Sequence, residues 1–70
     1  MTLHRRIIET LHSGPRHILG IAEAVGYLHD IVADELHDME DRGEVIQHET
    51  GLYQLSAATQ RQEQERKRSQ

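Results

Sequence analysis

An α+β, mainly α fold is predicted for this chain by three observations. Three stretches repeat apolar residues at helical spacing, glycines separate them, and two short apolar runs flank Glu49-Thr50-Gly51 in the manner of a β-hairpin. The predicted globular body covers residues 1–56, and residues 57–70 form a polar, basic tail.

The first helix is expected from Thr2 to about Ser13. Leu3, Ile7, Ile8 and Leu11 make one stripe, Thr2 is a suitable N-cap, and Ser13-Gly14-Pro15 ends the helix because proline cannot continue it. Arg16-His17 should be extended. The second helix covers Ile18 to Val25, with Ile18, Ile21, Ala22 and Val25 as its buried stripe. Gly20 inside it costs roughly 1 kcal/mol relative to alanine, so this helix leans on tertiary contacts.

A tight turn at Gly26-Tyr27-Leu28 leads into a third helix over Leu28 to Arg42, with Leu28, Ile31, Val32, Leu36 and Met39 assigned to the core. Gly43 closes it. Strands follow at Glu44–His48 and Leu52–Leu55, where Tyr53 and Leu55 share a face and Val45 packs with them. From Ala57 onward no residue is larger than alanine among the apolar ones, and Gln, Glu and Arg dominate. Such a segment cannot offset its ordering entropy by apolar burial, so it is expected to be disordered or a frayed helix.

Seventy residues with no cysteine make one small domain without a disulfide framework or a thiolate metal site. The N-terminal residues lack the apolar core of a signal peptide, and no apolar run approaches the ~18 residues of a membrane span. A cytoplasmic location without membrane attachment is the expectation. The formal charge of −4 is uneven: residues 1–56 set Arg5, Arg6, Arg16 and Arg42 against ten acids, whereas residues 57–70 set Arg61, Arg66, Lys67 and Arg68 against Glu63 and Glu65.

No catalytic motif is present, neither a cysteine nucleophile, a glycine-rich phosphate loop nor a His-Glu-x-x-His pair, so an enzyme is not expected. The six histidines carry no ligand spacing. Pairs eight apart, His4 with His12 and His29 with His37, lie about 12 Å apart along a helix, too far to share one ion, which leaves only a site between helices or subunits completed by Asp or Glu. No metal and no cofactor are expected.

Along residues 14–56 come, in order, Gly14-Pro15, Ile21-Ala22, Gly26, Val32, Leu36, Met39, Gly43, Val45, Gly51, Tyr53 and Leu55. This order resembles the winged helix-turn-helix family, three helices plus a two- or three-stranded β-wing, most members of which bind DNA. The resemblance implies a third helix in the major groove, its N-terminal half on base edges, with phosphates held from the wing and first helix. Carried over by position, the base-edge residues are His29, Asp30, Ala33, Asp34 and His37. The phosphate contacts fall to Arg5, Arg6 and Arg16 and, from the tail, to Arg61, Arg66, Lys67 and Arg68. The function implied is a sequence-specific, repressor-like transcriptional regulator that binds double-stranded DNA as a homodimer.

The chain departs from the family in its third helix, where Asp30, Asp34, Glu35, Asp38, Glu40 and Asp41 face a single arginine, Arg42. Carboxylates near phosphates repel across a Debye length of about 8 Å at physiological salt. One of them is admissible in a groove as an acceptor from cytosine N4. The acidity supports an alternative: a winged-helix interaction module whose third helix docks a basic protein partner. A third reading makes it an adaptation to high salt.

Overall fold

A computed structural model describes residues 2–68. Within them the chain forms α1 (Leu3–Leu11), α2 (Ile18–Val25), α3 (His29–Asp41), β1 (Val45–Gln47), β2 (Tyr53–Leu55) and α4 (Ala57–Arg68). This is a small, mainly helical α+β protein, and the order of its first five elements is compatible with a winged-helix layout. No described helix is long and apolar enough to cross a membrane.

Each helix boundary has a local cause. Thr2 is extended and its Oγ1 accepts from the Arg5 amide at 3.2 Å, so α1 starts with a side-chain cap. Gly26 ends α2 in the left-handed region, φ +76°, and its amide returns to the Ala22 carbonyl. A side chain there would be strained, whereas glycine adopts this geometry without penalty. The Glu44 amide donates to the Met39 carbonyl at 2.8 Å and so turns the chain out of α3 into β1.

The hairpin is antiparallel, with Val45 opposite Leu55, Ile46 opposite Gln54 and Gln47 opposite Tyr53. Arg16 forms a single antiparallel bridge to Tyr53, closed by reciprocal main-chain bonds of 3.0 and 2.8 Å. The extended link before α2 thus lies against β2, on the side away from β1. One core joins all of this: Ile7, Ile8 and Leu11 from α1, Ile21, Ala22 and Val25 from α2, Val32, Leu36 and Met39 from α3, and Val45, Tyr53 and Leu55 from the hairpin.

One expectation is corrected. Leu28 and Ile31 lie outside the core, 73% and 45% exposed. Leu28 is the extended N-cap of α3, where helical spacing does not apply, and Ile31 is about 100° around the helix from Val32, on the flank of the buried stripe.

Residues 57–68, expected to be disordered or a frayed helix, form a helix; residues 69–70 of that predicted segment lie outside the described residues. Polar anchors hold α4 where apolar ones are missing. Ser56 Oγ accepts from the Thr59 amide at its start. Buried Thr59 donates to the Glu44 carbonyl at 2.9 Å, and the Gln60 side chain donates to the Leu55 carbonyl at 3.1 Å. Arg66, Lys67 and Arg68 in the last turn complement the helix dipole.

Candidate nucleic-acid interface

Helix α3 has two faces. Val32, Leu36 and Met39 are fully buried, and the opposite side presents Asp30, Asp34, His37 and Asp41 at spacings of four, three and four, all exposed. Of the residues assigned to base edges, His29, Asp30, Asp34 and His37 are therefore exposed and Ala33 is half-buried on the flank. His29 Nε2 lies 3.1 Å from Asp30 Oδ1 in the first turn, where a negative charge also meets the positive end of the helix dipole. Farther along, Arg42 reaches Asp38 at 3.1 Å and Glu35 at 3.6 Å. Among the described residues it is the one arginine or lysine ion-paired to an α3 carboxylate, so Asp34, Glu40 and Asp41 stay without a cationic partner there.

The residues assigned to phosphates do not converge as a single patch. Arg6 is exposed and donates to the Val25 carbonyl at 3.2 Å, at the negative end of α2. Arg16 is exposed in the link and donates to Ser13 Oγ at 3.0 Å. On α4, Arg61 and Arg68 are seven residues apart and share the face opposite Thr59 and Glu63, whereas Arg66 and Lys67 lie toward α1. There they line a cavity of about 150 Å³ together with Arg5, Glu9 and Glu63.

Arg5 is not a free phosphate donor in this arrangement. Its guanidinium grips the Glu63 carboxylate with both terminal nitrogens, Nη1 to Oε2 at 2.9 Å and Nη2 to Oε1, and also reaches Glu9 Oε1 at 2.7 Å. His12 completes the cluster, its Nε2 at 3.1 Å from Glu63 Oε1 and its Nδ1 at 3.4 Å from Glu9 Oε2. The Glu63 side chain is only 12% exposed, Arg5 20% and Glu9 46%. The hydrogen bonds from Arg5 hold the Glu63 carboxyl down at about 2 and keep that of Glu9 below the usual carboxylate range. The bonds to Glu63 first and to Glu9 second in turn raise Arg5 further above its already high value, against desolvation.

Glu9, His12 and Glu63 also form a donor set of the kind that holds a divalent ion. The Arg5 guanidinium bonded to both carboxylates already supplies the compensating positive charge, and an ion entering the cluster has to displace it. Three of the four residues of this cluster are visible in the sequence, since Arg5 and Glu9 are four apart and Glu9 and His12 three apart on one predicted helix. Glu63, more than fifty residues downstream, leaves no such signal. Glu44 is likewise invisible as a junction: its carboxylate meets His4 Nε2 at 3.1 Å while its carbonyl receives Thr59 and the Ser56 amide.

Comparison with protein-family models, curated proteins and solved structures gives no match.

Proposed function

We propose that this chain is a sequence-specific DNA-binding regulator of the winged-helix type, acting as a homodimer with α3 in the major groove. The observation that carries the proposal is the division of α3 itself: one stripe is fixed in the core, the opposite stripe is exposed over three turns, and a hairpin follows directly. A helix held this rigidly with a polar outer face suits base-edge contact. His29 and His37 supply donors to base acceptors, Ala33 offers a methyl surface, and Asp30 or Asp34 accepts from cytosine N4. Arg6 and Arg16, free of carboxylate partners among the described residues, and Arg61 and Arg68 on the outer face of α4 serve as phosphate contacts.

Fluorescence anisotropy with a mixed-sequence duplex library across a range of potassium chloride concentrations tests the proposal. Four phosphate contacts per protomer, eight for the dimer, predict a log–log salt slope of about −7. Asp34→Lys with Asp38→Lys should strengthen binding about tenfold or more, because each substitution replaces repulsion by attraction near phosphates. Absence of salt-sensitive binding at every concentration overturns it.

A second reading is favoured by Asp34, Glu40 and Asp41 on α3, which have no cationic partner among the described residues. In that reading the acidic face docks a basic protein partner, and the same two lysine substitutions abolish the contact instead of improving DNA affinity.

A further inference from the structure

We propose that α4 is a detachable arm, shut against α1 by an ionic clasp on Glu63, and that duplex DNA opens it by competing for Arg5.

The first support is what α4 lacks. Thr59 is its buried residue, and no apolar side chain of α4 enters the core. Its base is tied down through Ser56, Thr59 and Gln60, all within the first turn. Glu63, one turn on, forms the clasp with Arg5 and His12. A twelve-residue helix of this composition does not sustain itself in water, since isolated helices below about 12–15 residues are marginal even when rich in alanine. Without the clasp, the segment beyond Gln60 reverts to the loose basic tail that its composition predicts.

The second support is that the clasp is exchangeable. A guanidinium presents the same planar pair of N–H donors to a carboxylate and to a phosphate, so a phosphodiester oxygen pair can replace Glu63 on Arg5 without rebuilding the site. Glu63, largely buried when closed, regains water on release. Glu9 stays on the neighbouring edge of the guanidinium in either state. Opening therefore unmasks one phosphate donor on α1 and frees Arg61, Arg66, Lys67 and Arg68 on a flexible segment, which extends the cationic reach of an otherwise acidic body.

The clasp itself stands on geometry alone; the role of DNA as its opener rests on the DNA-binding reading above. Amide hydrogen exchange on the full chain, followed by NMR, separates the two. Glu63→Gln should reduce protection beyond Gln60 by about tenfold or more while the core amides of α1, α2 and α3 keep theirs. Equal protection in both proteins overturns the clasp. On adding a mixed-sequence duplex, the wild-type arm should lose protection to the level of the variant. Glu63→Gln should also bind the duplex several-fold more tightly, an advantage that vanishes when Arg5→Gln is introduced into both. Duplex binding with α4 still protected overturns the coupling and leaves the DNA-binding reading standing. No duplex binding at any salt, with the exchange difference present, overturns that reading and DNA as the opener with it.

Discussion

Glu63→Gln should destabilise the protein near neutral pH and cost almost nothing near pH 2, and the size of the effect follows from the cluster geometry. In the fold the Glu63 carboxyl is held at about 2 against an ordinary 4.5, first by its hydrogen bonds to Arg5 and then by their charge attraction, with desolvation opposing. Each tenfold change in proton affinity is about 1.4 kcal/mol, which sets a ceiling of roughly 3 kcal/mol. The cluster opens to water on the Glu9 side, and Arg5 retains Glu9 when Glu63 is neutralised, so about 1–2 kcal/mol is the expected loss.

A carboxylate whose value is depressed in the folded state contributes its stability in full above its unfolded value and loses it as pH falls toward the folded one. The window is therefore between about pH 4.5 and pH 2, and Glu9, also depressed by Arg5, loses its share in the same direction. Urea unfolding of wild type and variant at several pH values across this window measures the difference directly, and the comparison cancels the titration of the carboxylates outside the cluster. The two stabilities should converge on acidification. A difference that stays constant with pH, or is absent at neutrality, refutes the reasoning. One further consequence is built in: if α4 detaches before the core unfolds, the loss saturates at the free energy of docking α4.

Other outcomes follow from the packing. Leu36→Ala, at a fully buried position, should cost about 2–5 kcal/mol, a large share of the roughly 4–10 kcal/mol available to seventy residues, and thermal unfolding should show a partly unfolded population. Gly26→Ala should cost about 1 kcal/mol through backbone conformation alone, because a Cβ there meets nothing within 4 Å; an unchanged midpoint in urea argues against the left-handed turn. Leu28→Ser should move stability by less than about 0.5 kcal/mol, the value for an exposed site; a loss several times larger would place Leu28 in the core after all.

Much of the fold is legible in the residues because local rules and burial agree along residues 2–56. Ile7, Ile8 and Leu11 recur on one side of a helix, Ile21, Ala22 and Val25 on one side of the next, and both stripes enter the core. Glycine at 26 and 43 marks the turns that end α2 and α3. The exposed side of α3 follows from the same periodicity, so His29, Asp30, Asp34 and His37 are readable as surface residues before any coordinates exist. Leu28 and Ile31 show the limit of that reading: apolar character does not distinguish a stripe centre from its flank or from a cap.

What the sequence determines by itself is thus the set of elements whose cause lies within a turn or two of chain, together with the charge contrast between an acidic body and a basic end. What tertiary structure decides is the fate of that end. Residues 57–68 have no apolar reason to be ordered, and their order comes from Thr59 on the Glu44 carbonyl and Glu63 on Arg5, groups that only three-dimensional folding brings within 3 Å of one another. Hydrophobic burial leaves a periodic trace in sequence because it depends on repeated facing positions. A paired charge between distant residues leaves none, because it depends on one position meeting another.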